Sequence, residues 1–365
     1  MIKKLLLWVL LPLLVIVAGA IGWAYWYVKP DANRIVAFIK KHPEKSALLI
    51  RWNQKTIGTL HEDTLMPAAS VSKLWVAIAF AHQAAAGIIN LNEEVDTNAL
   101  LIYYFPETDG GAHPDWVAAI KKEGLMKEGK VALIDVAKGM MRFSSNANTE
   151  YLFQKLGLKN INQLKDSLGF AAHTPMYPFI SALLVLQNHD KLDYKKYVEQ
   201  KDLMTAEEYM HACDSFHRIL QNNPRIKESF TSAEVDLKVQ RIWSNRLPGG
   251  SPKLYALLLE KLNNRTLLDS LGHSILSTII EQNRKDTAYA SHFKHYGYKG
   301  GSTAYVLAQT AYCTDKQNNK GELAVFFNNL TTLENLKLQT SLPDFEFRLF
   351  TDSIFRNQLK QQLIK

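Results

Sequence analysis

Residues 74–81 form an unbroken apolar run, the feature of this sequence that most constrains the fold. A helix that is apolar on every side is a buried one, so the run predicts a helix surrounded by other elements. Pro67 precedes the run, which suits the beginning of a helix and not its middle. Ser70 and Lys73 stand where this helix begins, three residues apart and on the same face. The fold therefore has to place a serine and a lysine together at the mouth of a buried helix.

A serine and a lysine in this position can act as a nucleophile and its base. Desolvation disfavours the ammonium form of a buried lysine, which allows Lys73 to accept a proton near neutral pH. Such a base activates the hydroxyl of Ser70, and the beginning of the helix offers free N–H groups to an oxyanion. The pattern S-x-x-K also arises by chance roughly once or twice in a chain of this length. Other motifs must therefore support the interpretation.

The N-terminus predicts export. Lys3 and Lys4 precede an uncharged run over residues 5–28, which at 1.5 Å per residue reaches about 36 Å and can cross a bilayer. We favour an uncleaved transmembrane helix, with residues 1–29 as a membrane anchor and the N-terminus in the cytoplasm. The alternative is a signal peptide cleaved after the small residues 18–20. Residues 30–365 are then one domain outside the cytoplasmic (inner) membrane, on the periplasmic side of a single-pass protein.

Composition narrows the classes of function. The chain is 47% hydrophobic, so a sizeable core is available. Its net charge of +8 comes without a dense basic stripe or a nucleic-acid motif, so we expect no nucleic-acid partner. The His, Cys and Asp residues lack metal-ligand spacing, and we predict no metal and no other cofactor. Cys213 and Cys313 could pair after export, but two separate buried thiols is the favoured interpretation.

The pattern of elements predicts an α+β fold, an α/β sandwich. Strand patterns occur near both ends of the chain, over residues 47–52, 56–60, 296–299, 303–312 and 322–327. They predict one antiparallel five-stranded sheet flanked by helices, including a final amphipathic helix over about 344–363. The sheet lobe would comprise residues of about 30–70 and 291–365. An inserted all-helical lobe would comprise about 71–290, and the cleft between the lobes is a natural place for a site.

Two further motifs follow in order along the chain. Ser144-Ser145-Asn146 comes after a helical pattern, and Lys299-Gly300-Gly301-Ser302 ends a late strand pattern. Each has a plain structural alternative, a helix cap for the first and a glycine turn for the second. Together with S-x-x-K they form the signature S-x-x-K, S-x-N and K-[ST]-G. The chain thus resembles the penicillin-recognising serine hydrolases, class A β-lactamases and D,D-peptidases, over about residues 45–363.

The resemblance implies catalytic roles for four side chains. Ser70 would be the nucleophile that becomes acylated, and Lys73 the base for acylation, through a water or through Ser144. Ser144 would pass a proton to the leaving nitrogen. Lys299 would supply positive charge near Ser144 and near a substrate carboxylate.

The resemblance also implies substrate contacts. Asn146 would hold the side-chain amide of the substrate, and Gly301 would let the substrate lie close along the strand. The backbone N–H groups of Ser70 and Ser302 would form the oxyanion hole. Tyr104 stands in a loop that carries a ligand-facing aromatic in the family, although an ordinary loop tyrosine is an equal alternative.

The chain departs from the family at three places. Gly300 replaces the usual Thr or Ser, which removes a hydroxyl donor for a substrate carboxylate. Glu150 replaces an asparagine that braces the Ω-loop. The region that should contain this loop is longer than in the family, and the glutamate that releases the acyl-enzyme is not in its usual context. Glu234 is the candidate for this deacylation base, with Lys238 where an asparagine is expected; a solvated loop carboxylate is the plainer interpretation.

The expected function is an exported serine hydrolase of class A β-lactamase type, which cleaves a β-lactam or related amide through an acyl-enzyme on Ser70. Its partners would be a small-molecule β-lactam or a peptidoglycan-like peptide, and the membrane through the N-terminal helix. One alternative is a D,D-peptidase, amidase or esterase that acts on cell-wall peptides. Another is a penicillin-binding sensor that is acylated without turnover.

Overall fold

The computed structural model describes residues 27–282 and 287–364, together with the isolated positions 17, 19 and 22. The predicted membrane anchor therefore lies almost wholly outside the described residues. Among the described residues, no helix is both long enough and apolar enough to span a bilayer.

A five-stranded antiparallel sheet forms the centre of the fold, and strands from both ends of the chain build it, as predicted. Its order is β2-β1-β9-β8-β7, so β7 is an edge strand. The strands of the described residues are β1 (Ser46–Trp52), β2 (Lys55–Leu60), β3 (Met66–Pro67), β4 (Glu94–Asp96), β5 (Lys130–Ala132), β6 (Gly249–Gly250), β7 (Phe293–Ser302), β8 (Leu307–Asp315) and β9 (Lys320–Phe327).

Helices cover the sheet and fill the middle of the chain. Those of the described residues are α1 (Ala32–Lys41), α2 (Lys73–Ala85), α3 (Thr97–Leu101), α4 (Ala112–Lys122), α5 (Leu133–Arg142), α6 (Asn146–Leu156), α7 (Leu158–Lys165), α8 (Ala182–Val185), α9 (Tyr194–Leu203), α10 (Ala206–Asn222), α11 (Leu237–Arg246), α12 (Pro252–Asn263), α13 (Ser270–Ile280), α14 (Thr287–His292), α15 (Thr332–Thr351) and α16 (Ser353–Leu363). Short 3-10 turns occur at Pro43–Lys45, Ala69–Ser72, Pro224–Ser229 and Ser232–Glu234. A π-helical turn covers Asp166–Phe170.

Both faces of the sheet are buried. Side chains alternate along β1, so Leu48 and Ile50 belong to one core, while Ala47 and Leu49 belong to the other. The first core lies between the sheet and helices α1, α15 and α16, and the second joins the sheet to the helical part. Cys313 is in the first core and Cys213 in the second; both are buried, free thiols.

Helix α2 is the buried helix that the apolar run predicts. Trp75 and Phe80 are fully buried within it, and α5, α6, α7 and α13 pack around it. The helix is followed by Gly87, which adopts a left-handed φ of 70°. Because neighbours surround α2, they fix the position of its first residue, Lys73, inside the protein.

Two sequence predictions need correction. The inserted lobe is not all-helical, since β4 pairs with β5 and β3 with β6. These strands have only two or three residues, too few for an alternating pattern to appear. The final helix is two helices, α15 and α16. Thr331 and Glu334 form a capping box where α15 begins, and Asp352 separates the two by capping α16.

Candidate active site

Ser70 lies in the 3-10 turn that leads into helix α2. The backbone N–H of Lys73 donates to the carbonyl of Ser70, which holds the two residues one 3-10 turn apart. Ala69, just before the serine, has a left-handed φ of 45°, a costly conformation for a residue with a Cβ. The surrounding structure therefore imposes the orientation of this turn.

The amine of Lys73 is completely buried and faces the second motif. It lies 2.7 Å from Oδ1 of Asn146 and 3.2 Å from Oγ of Ser144, and it donates to the carbonyl of Ser144. In the described part of the chain, its hydrogen bonds go to these groups rather than to Ser70. Burial, reinforced by the positive charge of Lys299, holds the pKa of Lys73 well below its usual value. Lys73 is thus suited to be an uncharged base.

The residues of the second motif have two different roles: one caps a helix, and the other two contact Lys73. Ser145 caps helix α6, because its hydroxyl accepts from the N–H of Asn148. The side chains of Ser144 and Asn146, on either side of the cap, contact Lys73 instead. Ser144 has a left-handed φ of 66°. The helix-cap interpretation therefore applies to Ser145, and it leaves Ser144 and Asn146 available to the site.

Lys299 reaches the same serine from the edge strand. Its Nζ lies 3.0 Å from Oγ of Ser144 and 2.8 Å from the carbonyl oxygen of Gly300. Only 4% of Lys299 is exposed, and burial lowers its pKa to about 7. Two lysines therefore converge on the hydroxyl of Ser144, which can carry protons between them.

Gly301 allows strand β7 to pass directly beside the serine. A Cβ at this position would lie 2.4 Å from the backbone nitrogen of Ser70. Because no real Cβ contact is that short, position 301 requires a glycine. The close approach brings the 3-10 turn of Ser70 and the end of β7, with Ser302, to one place. This is the arrangement that an oxyanion hole built from both N–H groups needs.

These residues line a cleft of about 690 Å³. Ser70, Ser144 and Asn146 lie in it, and β7 contributes Gly300, Gly301 and Ser302. Several other residues of its wall were not among the predicted ones: Asp109, Phe179, Ile180, Gln240, Trp243, Gln309 and Gln339. Most lie in the rebuilt middle of the chain or on the last long helix, where the resemblance offers no motif. No group of three or more His, Cys, Asp or Glu residues within the described chain is placed to hold a metal ion.

Tyr104 lies outside the cleft wall. Its ring packs against that of His113, with 5.0 Å between the centroids. The same loop reaches the cleft further along, through Thr108, Asp109 and Gly110. The carboxylate of Asp109 accepts from the N–H of His113 over 3.0 Å and holds the beginning of helix α4. The loop therefore borders the site, but through residues other than the predicted aromatic.

Glu234 also lies outside the cleft wall. It ends a 3-10 turn before helix α11, and its carboxylate accepts from the backbone N–H of Asn188 over 2.8 Å. Helix α11 itself reaches the cleft through Gln240 and Trp243. The role of deacylation base that the sequence suggested for Glu234 has no contact in this structure to support it.

Glu150 holds a segment of the cleft wall in place through buried hydrogen bonds. Its carboxylate is fully buried and accepts from the N–H of Ile180 over 2.9 Å and from the hydroxyl of Ser181 over 3.0 Å. His217 on helix α10 lies 2.9 Å from the same carboxylate. Glu150 thus holds the wall formed by Phe179 and Ile180. The replacement of an asparagine by glutamate at position 150 was the sequence signal, but its partner His217 carried none.

Comparison with known proteins agrees with this geometry. The model of the β-lactamase enzyme family matches residues 31–330, and the chain belongs to that family. No curated protein sequence matches the chain.

Solved structures of low sequence identity share the fold. A β-lactamase from Sphaerobacter thermophilus DSM 20745 is 16% identical with a TM-score of 0.54, and the match covers 90% of this chain and 98% of that one. A β-lactamase from Chitinophaga pinensis DSM 2588 is 13% identical with a TM-score of 0.51, covering 86% and 98%. A mutant of PBP-A, solved as its acyl-enzyme complex with penicillin G, is 16% identical with a TM-score of 0.50, covering 86% and 94%.

Proposed function

We propose that this protein is a serine hydrolase that opens a β-lactam or a related amide through an acyl-enzyme on Ser70. One observation carries the proposal: the amines of Lys73 and Lys299 both lie within hydrogen-bonding distance of Ser144 Oγ, at the cleft that Ser70 lines. A nucleophile, a buried base and a proton carrier in one cleft are the parts that acyl transfer needs.

The residues suggest the following sequence of steps. Ser70 Oγ bonds to the carbonyl carbon of the substrate while its proton passes, through a water or through Ser144, to the uncharged amine of Lys73. The N–H groups of Ser70 and Ser302 stabilise the oxyanion. The C–N bond then breaks, and the proton passes from Lys73 through Ser144 to the leaving nitrogen. Water finally hydrolyses the ester on Ser70, which releases the acid and restores the hydroxyl.

Lys299 supports this transfer in its charged form. Its ammonium donates to Ser144 Oγ, and its charge disfavours a second charge on Lys73. The pair can therefore hold one proton between them, with Lys73 as the uncharged member. This division suits a base and a proton carrier that work on the same hydroxyl.

A specific feature of the wall favours a second candidate, a penicillin-binding protein that is acylated and releases its product slowly. Phe179 and Ile180 form the wall that Glu150 braces, and neither can activate water. Among the cleft-lining residues that the structure describes, Asp109 is the only carboxylate, and it accepts from backbone N–H groups. The groups that acylation needs are present at this cleft, whereas none of its described wall residues is an evident base for deacylation.

We further propose export of the catalytic domain, with the uncharged run over residues 5–28 as its membrane anchor and the domain on the periplasmic side. A cell-wall peptide or a β-lactam would be accessible there. Fractionation of cells and protease treatment of spheroplasts, which should degrade the domain but not a cytoplasmic marker, test this placement.

The enzymatic proposal is tested with the full-length chain purified in detergent. The protein is mixed with a chromogenic cephalosporin and, separately, with a fluorescent penicillin. Rapid turnover supports a β-lactamase, and a stable fluorescent adduct supports the slow-release candidate. Ser70→Ala should abolish both, while Ser167→Ala, an exposed serine of the π-helical turn, should change neither. Absence of any reaction, with peptides and esters also left intact, contradicts the proposal.

A further inference from the structure

The last residues of the uncharged run over 5–28 contact the beginning of helix α15. The hydroxyl of Tyr27 donates to the carbonyl oxygen of Leu333 over 3.0 Å. The amine of Lys337 lies over the ring of Tyr27, 5.0 Å from its centroid, and Arg34 donates to the carbonyl oxygen of Tyr27 over 2.7 Å. These contacts hold the end of the proposed membrane anchor against one particular end of the domain.

The beginning of α15 exposes apolar side chains beside this contact. Leu333 and Leu336 are 55% and 43% exposed, and their spacing of three residues puts them on the same side of the helix. Single exposed leucines are ordinary on a protein surface, but these two lie where the chain leaves the uncharged run. Helix α1 already begins at Ala32, so a bilayer that held residues 5–28 would come directly against this end of the domain.

Helix α1 brings positive charge to the same end. It runs antiparallel to α15, because the N–H of Ala32 donates to Asp344 over 2.7 Å while the amine of Lys45, just after α1, donates to Glu334 over 2.8 Å. The last turn of α1 therefore lies toward the beginning of α15. It carries two exposed cations, Lys40 and Lys41.

The acids of this end are close to bases of their own. Glu334 contacts Lys45, and Glu44 lies 3.4 Å from His42. The lysines that follow the uncharged run or flank the exposed leucines add to a basic rim: Lys29, Lys40, Lys41 and Lys337. An aromatic ring, exposed leucines and a rim of lysines are the groups that proteins place at the interface between a bilayer and water.

The same helix leads from this end to the cleft. Gln339 and Pro343, two exposed residues of α15, line the cleft together with Ser70. A rise of about 1.5 Å per residue puts Pro343 about 15 Å along the helix from Leu333. A bilayer at the beginning of α15 therefore lies close to the cleft.

We propose that the end of the domain formed by Tyr27, Leu333, Leu336, Lys337 and the last turn of α1 rests on the surface of an anionic bilayer. The leucines enter the headgroup region, and the lysines contact lipid phosphates. The inference rests on the proposed membrane anchor and states how the domain is placed on the membrane that the anchor enters. The cleft then opens beside the bilayer, which suits a substrate held at the membrane surface.

A fluorescent dye at position 336 tests this placement. Leu336→Cys is labelled in the full-length chain, which is then reconstituted into vesicles of equal parts phosphatidylglycerol and phosphatidylcholine. The native thiols of Cys213 and Cys313 are buried, and the unmodified protein gives the background of labelling. Lipids with a spin label at the headgroup should quench the dye at 336 by more than about half. Ile354→Cys, at a 69% exposed position beyond the other end of α15, is the control and should be quenched little.

The outcomes separate the anchor from the surface. Equal quenching at the two positions, in a chain that the vesicles retain after alkaline carbonate extraction, overturns this inference and leaves the anchor standing. A chain that the vesicles do not retain overturns the proposed anchor and this inference with it.

A matched pair of double variants tests the role of charge. Lys40→Gln with Lys41→Gln should weaken the quenching at 336, because fewer cations then attract the anionic lipid. Lys195→Gln with Lys196→Gln, at exposed positions of helix α9, should leave the quenching unchanged. Equal weakening in the two double variants contradicts the proposed contact of this end with lipid phosphates.

Discussion

The carboxylate of Glu150 accepts a hydrogen bond of 2.9 Å from the backbone N–H of Ile180, a residue that lines the cleft of Ser70. Glu150 lies on helix α6, four residues after Asn146, so one helix carries both a residue that lines the cleft and the brace of another part of its wall. The braced segment places an isoleucine, and no carboxylate, at this point of the cleft. Under the proposed acyl transfer, this contact would leave the braced part of the wall without a base for release.

A carboxylate introduced at the braced position should speed release. Ile180→Glu places a carboxylate that can activate water in the wall of the cleft. Because Ile180 is only 1% exposed, burial should raise the pKa of the introduced carboxyl group toward the range of a general base. We expect the β-lactam adduct to be hydrolysed at least about tenfold faster than in the unmodified protein. Decay of the adduct is followed by intact-protein mass spectrometry after removal of free ligand. Ile180→Gln has the same shape without the base, and equal decay in both variants would contradict the explanation.

Removal of the brace should destabilise the protein. Glu150→Ala removes the acceptor of the N–H of Ile180 and the carboxylate contact of Ser181 and His217, which keep only their 3.2 Å contact with each other. Since each lost partner costs about 1–3 kcal/mol, we expect the free energy of unfolding to fall by at least about 3 kcal/mol. Urea denaturation measures this change. Glu150→Gln retains an acceptor for Ile180 and should cost clearly less; an unchanged stability of Glu150→Ala would be incompatible with the described network.

Acylation should weaken as pH rises through about 7. Burial lowers the pKa of Lys299 to about 7. The pKa of Lys73 is also held well below its usual value, and the uncharged amine of Lys73 is the proposed base. Above that pH Lys299 loses the charge that favours proton delivery through Ser144, so the rate constant of Ser70 acylation should fall. Stopped-flow measurement with a chromogenic cephalosporin over a pH series gives the profile. Lys299→Arg keeps its charge and should move the falling limb to higher pH. If the falling limb of the pH profile does not move in Lys299→Arg, the fall in rate comes from the titration of another group.

Position 301 should tolerate no side chain. Gly301→Ala places a Cβ 2.4 Å from the nitrogen of Ser70, so either the strand or the serine turn has to move. Displacement of the serine by a fraction of an ångström is expected to lower the acylation rate about 100-fold, with the circular dichroism spectrum retained. At Gly300 a Cβ meets only one atom, at 3.9 Å, so Gly300→Ala should have a much smaller effect. If Gly301→Ala and Gly300→Ala lower the acylation rate by similar factors, the close contact between Gly301 and Ser70 does not explain the loss.

The sheet was predictable because its strands have clear local patterns. The two early strands and Glu322 to Phe327 differ from the structure by at most two residues at either end. The second late strand was expected to begin at Thr303, yet β8 begins at Leu307, because 303–306 form the turn between strands. The last helix was expected over about residues 344–363. Instead, Pro343 lies within α15, and the capping box of Thr331 marks the beginning.

The site was predictable only where a motif specified it. Ser70, Ser144, Asn146 and Gly301 line one cleft, and the resemblance carried by the three motifs suggested them. The opposite wall could not be found in this way. Ile180 is an ordinary apolar residue, and its position depends on Glu150 and on His217, which is 67 residues further along the chain than Glu150. Glu234 was suggested as a release base from its place along the sequence, and it lies outside the cleft wall of the described residues.

The most direct test of the central claim is peptide mapping of the adduct. The full-length protein is incubated with a penicillin, freed of ligand, digested at successive times and analysed by tandem mass spectrometry. We predict that the added mass lies on Ser70, is absent from Ser70→Ala, and decays slowly. An adduct on another residue, or reaction that survives in Ser70→Ala, would contradict the assignment of Ser70 as the nucleophile.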